Sequence, residues 1–208
     1  MTAPRLDRTR AALIVIDMQN GFCSPDGSIA RIGLDVDALV AAIEPCRTLL
    51  EAARQACLPV IHTRYVYAAD HCDGGLLVDA LMPQLRDERA LLAGSWDAEI
   101  VAALTPIAGE EVIDKNRPSA FFRTQLDDIL GGRGIDQLIV CGVTTNCCVE
   151  STVRDASQRD IATFVVADAT AELDPLRHDG ALATIGLLFG WVVVSDAILA
   201  ALAQDQAA

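Results

Sequence analysis

Six short, almost continuously apolar runs limit what this chain can become: AALIVI (Ala11 to Ile16), PVIHT (Pro59 to Thr63), EEVID (Glu110 to Asp114), QLIVCG (Gln137 to Gly142), TFVVAD (Thr163 to Asp168) and WVVV (Trp191 to Val194). A strand with one face in water alternates apolar and polar residues. These runs barely alternate, so they predict strands covered on both faces, with the longer stretches between them as the crossovers of a parallel sheet. The expected fold class is α/β, a three-layer α-β-α sandwich on a six-stranded, mainly parallel sheet. Leu39, Ile43, Cys46 and Leu50 recur at three- and four-residue spacing and predict a helix from Val36 to Ala56; a second is predicted from Asn146 to Gln158. Thr124 reads as the N-cap of a turn through Leu126, Ile129 and Leu130 that Gly131-Gly132 stops, and a last helix is expected from Ser195 to Leu202. The segment from Tyr67 to Gly94 has the weakest periodicity and is expected to hold a long loop or lid.

At 208 residues the chain fits one domain spanning 1–208, and 52% hydrophobic against 22% charged residues gives it enough apolar material for a core. With 16 Lys and Arg against 29 Asp and Glu the formal net charge is -13, which disfavours nucleic acid and anionic membrane and points to a small-molecule substrate. The first apolar run is too short for a signal-peptide core or a membrane span, so a cytoplasmic location is expected. Seven cysteines, Cys23, Cys46, Cys57, Cys72, Cys141, Cys147 and Cys148, are an odd number in a chain large enough to need no staples, and are read as reduced thiols.

In a parallel sheet ligands bind beyond the carboxyl ends of the strands. Asp17 follows the first run, Lys115 follows the third, and Cys147-Cys148 follows the fourth through the turn Val143-Thr144-Thr145-Asn146. An acid, a base and a thiol could converge there. A free thiol with a pKa of about 8.5 is mostly protonated at neutral pH, and a helix N-terminus with a nearby ammonium can lower that value. A buried Asp17 could take the thiol proton and return it to a leaving amine, while Lys115 keeps the carboxylate ionised. Each residue also has an ordinary reading: Asp as a turn residue, Lys as a solvated charge, Cys as helix packing. Spacing alone leaves both thiols open.

The segments IVIDMQN (Ile14 to Asn20), DKNRPSAFF (Asp114 to Phe122) and above all CGVTTNCCVESTVRDA (Cys141 to Ala156), with GSWD at Gly94 to Asp97 and a terminal FGWVVVSDAIL, resemble the cysteine hydrolases of the isochorismatase-like superfamily. The resemblance implies an Asp-Lys-Cys triad of Asp17, Lys115 and Cys148, because the family nucleophile directly precedes Val. It implies a cis peptide between Val143 and Thr144, an oxyanion hole made by the amides of Thr144 and Cys148, no cofactor, and a homo-oligomer, dimer or tetramer.

Three branches of the superfamily differ in chemistry. Nicotinamidase-like members carry an Asp-x-His metal motif; the corresponding loop IHTRYVYAADHCDGG contains His62, Asp70, His71 and Asp73 but lacks that order, and His178 falls on an expected helix, so no metal is predicted. Isochorismatase proper cleaves a vinyl ether and typically lacks the cysteine. The third branch comprises amidohydrolases of ureido and carbamoyl compounds; GSWD, TNCCVEST and the FF pair resemble ureidoacrylate amidohydrolases, while HTR at His62 to Arg64 looks closer to biuret hydrolase. Pro118 stands where Tyr is usual, which leaves the particular substrate open.

The expected activity is therefore that of a metal-independent amidohydrolase, cleaving a C–N bond of a small ureido, carbamoyl or amide substrate through a covalent Cys148 intermediate. The alternatives are vinyl ether hydrolysis and a non-catalytic interaction module. Arg64 or Arg117 would pair with a substrate carboxylate. Phe22, Trp96, Phe121 and Phe122 are candidate pocket walls, Asn20 could orient an amide, and His62 stands where an aromatic residue is expected. Gln19 is read as a support of the fold.

Overall fold

The computed structural model describes residues 5–204. The expected span of 1–208 reaches four residues beyond these at each end, outside the described residues. Six strands form one sheet in the order β3-β2-β1-β4-β5-β6, every neighbouring pair parallel. They are β1 (Ala11–Ile16), β2 (Val60–Tyr65), β3 (Glu111–Lys115), β4 (Gln137–Val143), β5 (Ala162–Ala171) and β6 (Trp191–Val193). The central strands β1 and β4 are buried at every position, as their unbroken apolar runs require. At the edge, β3 leaves Val112 and Asp114 in water and keeps Ile113 and Lys115 inside. β5 runs past Asp168, with a register shift opposite Val140 to Gly142 that lets the longer strand continue to Ala171.

Nine α-helices lie among the described residues: α1 (Asn20–Cys23), α2 (Ser28–Arg31), α3 (Asp37–Ala41), α4 (Ile43–Gln55), α5 (Gln84–Asp87), α6 (Leu126–Gly132), α7 (Glu150–Ser157), α8 (Pro175–Leu188) and α9 (Ser195–Gln204). The single helix expected from Val36 to Ala56 is two, α3 and α4. Pro45 cannot donate to the carbonyl four residues back, at Ala41, and its ring crowds that carbonyl, so the chain breaks there and resumes with proline in the first turn of α4. The helix expected from Asn146 opens as a wide turn, Thr145–Val149, with the Val149 amide bonded to Thr144 O at 3.2 Å, before α7 begins. α6 runs through Gly131 and Gly132 and ends before Gly134, whose positive φ of 64° makes the turn. α8 is capped by Asp174, whose carboxylate accepts from the Leu176 and Arg177 amides, with Pro175 at its first position.

α4 packs on β1, β2, β4 and β5 and against α9, while α7 and α8 pack on each other and on β5 and β6 respectively. Leu13, Ile14 and Ile16 of β1, Leu49 and Leu50 of α4 and Ile61 of β2 are fully buried between these layers. Among the described residues no helix is long and apolar enough to cross a membrane.

Consecutive strands proceed from β1 outward to β3, then the chain returns beside β1 to form β4 and proceeds the other way. The switch therefore falls between β1 and β4, where the two connections leave in opposite directions and open a crevice at the carboxyl edge.

Candidate active site

Asp17 is the first residue past β1, fully buried and at a positive φ of 51°. Its amide donates to Thr63 O of β2 at 3.2 Å, and the Thr63 hydroxyl donates to Oδ1 at 2.6 Å. Oδ2 accepts from Lys115 Nζ at 2.6 Å, and both side chains of this ion pair are wholly out of solvent. The ammonium also donates to Arg117 O at 3.2 Å and lies 4.4 Å from the centre of the Tyr65 ring. Burial works against the Lys115 charge, but the Asp17 carboxylate bonded to it raises its pKa. Desolvating two charges costs several kcal/mol each, so such a pair is a poor choice for stability alone and makes this a candidate functional site.

The thiol arrives from β4. Gly142 has φ of 114°, and a Cβ built there would lie 2.1 Å from Ile16 O, so only glycine lets β4 run this close to the end of β1. The next peptide, Val143-Thr144, is cis. The turn Thr145–Val149 then carries Cys148 inward, 4% exposed, with Cys147 beside it and less buried. Thr152 Oγ1 donates to Cys148 O at 2.7 Å and accepts from the Ala120 amide, and Thr145 Oγ1 meets His178 Nδ1 at 2.9 Å, so the turn is tied at both ends. The neighbouring Cys147 sulfur and burial, with the Asp17 charge, push the Cys148 thiol well above its ordinary range, and Lys115 pulls the other way without prevailing. This corrects the expectation of a thiol acidified by its helix and the ammonium: Cys148 rests neutral, the state in which a base has a proton to remove.

Cys148, Cys147 and Thr144 line a cavity of about 180 Å³ whose other walls include Phe22, Tyr65 and Tyr67. A larger and more open hollow of about 590 Å³ lies on the far side of Tyr67, against Lys115, Asn116, Arg117 and Phe122. The smaller one contains the thiol and is the candidate reaction chamber.

Several residues singled out in the sequence lie elsewhere. His62 and Arg64 are not at the cavity: alternate residues of β2 face opposite sides, and it is Thr63 and Tyr65 that turn toward Asp17 and Lys115. His62 Nε2 meets Glu110 Oε2 at 2.9 Å, and Arg64 forms a two-pronged pair with Asp114 at 2.7 and 2.8 Å. Asn20 uses its side-chain amide on Trp96 O at 2.9 Å, a tether between α1 and the loop, and Trp96 itself is 48% exposed outside both hollows. Phe121 is buried under the Arg159 guanidinium, 4.5 Å from its ring centre. Arg117 lines the larger hollow and donates to the carbonyls of Asp73 and Asn116. Gln19 clamps β2, accepting from the Tyr65 amide and donating to Tyr65 O and Ala98 O. His71 meets Ala90 O, and among the described residues no three His, Cys, Asp or Glu side chains gather as a metal site.

Thr63, Tyr65 and Tyr67 were missed, although a period-two reading of VIHTRYVY, β2 and the two residues after it, places 63, 65 and 67 on one parity and would have found them. The wall residues Leu77, Met82 and Leu85 had no such signal, because their segment carries no regular period.

The sequence model of the isochorismatase domain matches residues 11–197. The chain belongs to the isochorismatase family. Within that family it is 38% identical to the ureidoacrylate amidohydrolase RutB of Methylorubrum extorquens, over 97% of this chain and 86% of that protein. Among solved structures it superposes on a cysteine hydrolase from Pseudomonas syringae pv. phaseolicola with TM-score 0.85 and 31% identity, covering 97% of this chain and 98% of the other. The N-carbamoylsarcosine amidase of Thermoplasma acidophilum is similar with TM-score 0.73 and 28% identity, over 90% and 97%.

Proposed function

We propose that this isochorismatase-family protein is an amidohydrolase that cleaves a C–N bond of a small ureido, carbamoyl or amide substrate through an acyl intermediate on Cys148. The observation that carries this reading is the fully buried Asp17–Lys115 pair beside a neutral, cavity-lining thiol. Its relatives named as ureidoacrylate amidohydrolase and N-carbamoylsarcosine amidase support the bond type.

Asp17 takes the proton from Cys148 Sγ as the sulfur attacks the substrate carbonyl carbon, forming the S–C bond. Lys115 stays protonated and offsets the negative charge that the reaction moves between the carboxylate and the sulfur. The tetrahedral oxyanion is met by the amides of Thr144 and Cys148. As the C–N bond breaks, Asp17 returns its proton to the leaving nitrogen, releasing ammonia or a carbamoyl-derived amine. Water, deprotonated by Asp17, then attacks the thioester and the thiol recovers its proton.

Ammonia release from a panel of ureas and primary amides, by wild type beside Cys148→Ser, tests this. A loss of at least about 1,000-fold in the variant is expected, with a thioester adduct on Cys148 visible by mass spectrometry during wild-type turnover. Activity that survives in Cys148→Ser would move the reaction to vinyl ether cleavage or another cysteine-independent chemistry. The same reading takes the working form as a cytoplasmic homo-oligomer of two or four subunits. The exposed Leu176, Leu187 and Leu188 of α8 support an association face, and light scattering that finds a monomer would remove that part.

A further inference from the structure

We infer that the substrate presents an uncharged, hydrocarbon substituent to the cavity at Cys148, in place of the carboxylate that a ureido acid would carry; the inference rests on the amidohydrolase reading and narrows its substrate class. None of the thirteen residues lining the cavity is charged. Eight are hydrocarbon or thioether side chains, among them Phe22, Ile29 and Leu34 on one side and Leu77, Met82 and Leu85 on the other. The five remaining are Tyr65, Tyr67, Thr144 and the two cysteines, all uncharged in their ordinary forms.

The nearest cations do not serve a carboxylate there. Lys115 is bound to Asp17 and wholly out of solvent, and Arg117 lines the larger hollow with its guanidinium on two backbone carbonyls. A third cation, Arg177, is paired with the buried Glu172 at 3.2 Å, as Lys115 is with Asp17 at 2.6 Å, so neither is left for a substrate anion. An anionic substituent would enter a desolvated chamber with no cation in its walls and only the Tyr65 and Tyr67 hydroxyls to meet it, an unfavourable setting for an ion. The apolar walls instead reward hydrocarbon. A cavity of about 150 Å³ holds one benzene ring, so the 180 Å³ here takes a short alkyl chain beside the reacting amide.

One wall comes from the segment between Tyr67 and Gly94, where Leu77, Met82, Leu85 and Leu91 all turn toward the thiol and Val78 is buried behind them. This segment therefore sets the shape that a substituent must fill. Leu77, only half-buried, is the member that can be cut back with least cost to folding.

Matched pairs of probes decide the matter: butylurea against 3-ureidopropanoate, and hexanamide against glutaramate, each pair similar in size and differing in charge. Wild type should turn over the neutral member at least about 100-fold better in kcat/KM. Along acetamide to hexanamide, kcat/KM should rise about three- to fourfold per methylene until the cavity is full. Calorimetry on Cys148→Ser reads the cavity without the chemistry, and should detect the neutral probes and not the carboxylates. Leu77→Ala should move the best chain length up by at least one methylene. Equal or better use of the carboxylates, or equal binding of both kinds, or no binding of either, would overturn the inference. Ammonia from the carboxylates alone would overturn it while leaving the amidohydrolase reading in place. Neutral probes that bind Cys148→Ser but release no ammonia with wild type would do the reverse.

Discussion

Removing the Lys115 ammonium leaves the Asp17 carboxylate buried with the Thr63 hydroxyl and a distant solvent as its only help. Lys115→Ala should therefore abolish turnover and also destabilise the fold by about 3–5 kcal/mol, the usual cost of stranding one member of a buried pair. The double variant Asp17→Asn/Lys115→Met should recover most of that stability and none of the activity, which urea denaturation beside an ammonia assay would check. A double variant no more stable than the single would mean that the pair is not the source of the loss. Asp17, Lys115 and the Cys147-Cys148 pair were legible because strand ends are where a parallel sheet exposes side chains, while the choice of Cys148 came from the resemblance to the family. Thr63 was not singled out, because a strand threonine is ordinary until the partner across the sheet is known.

At the scale of elements, the approach of β4 to β1 rests on one residue. Gly142→Ala would drive a Cβ into the Ile16 carbonyl and force an L-residue into φ of 114°, just before the turn that delivers Cys148. A loss of more than about 2 kcal/mol is expected, with activity falling further than stability alone explains; thermal unfolding and turnover of the same preparation measure both, and a variant as stable as wild type would show that the strands can part without cost. The break between α3 and α4 teaches a different lesson. Pro45 announced it in the sequence, and the apolar period of Leu39, Ile43, Cys46 and Leu50 hid it, because a periodic face continues across a break of one residue. The π-like turn at Thr145–Val149 gave no such notice. Its residues suit an ordinary helix, and only the packing of Cys148 against its neighbours selects the wider turn.

For the whole molecule, the cluster Arg54–Glu110–His62 ties α4, β2 and the start of β3 together, with His62 wholly buried. Burial lowers the His62 pKa, against the pull of Glu110. Burial works upward on Glu110, but Arg54, the Ile107 amide and His62 hold it down to about 2. The signs agree. Below about pH 6.5 the unfolded His62 takes a proton more readily than the folded one, so stability falls by up to about 1.4 kcal/mol per pH unit while only the unfolded form is protonated. The Glu110 contribution is complete above about 4.5 and drains away as pH falls from there toward about 2. Urea midpoints measured from pH 8 to pH 4 should decline in the His62 window first, and His62→Gln should flatten that first decline. A variant with the wild-type profile would assign the acid sensitivity to other groups.

By itself the sequence determined the parallel sheet, its six strands and the strand ends that carry Asp17, Lys115 and the two adjacent thiols, between which only the likeness to the family motif chose Cys148. Those follow from patterns that are local: unbroken apolar runs need two covered faces, and residues after them lie at one edge. Only the tertiary structure decided which side chains share a space. His62 and Arg64 belong to the wrong face of β2 for the cavity, Trp96 to another surface and Phe121 to the core under Arg159, while Leu77, Met82 and Leu85 come to the thiol from a segment with no regular period. The same is true of protons: a helix start and an ammonium read from spacing suggest an acidic thiol, yet burial and the neighbouring Cys147 and Asp17 keep Cys148 neutral. Desolvation depends on everything packed around a group, and no stretch of chain carries that information before it folds.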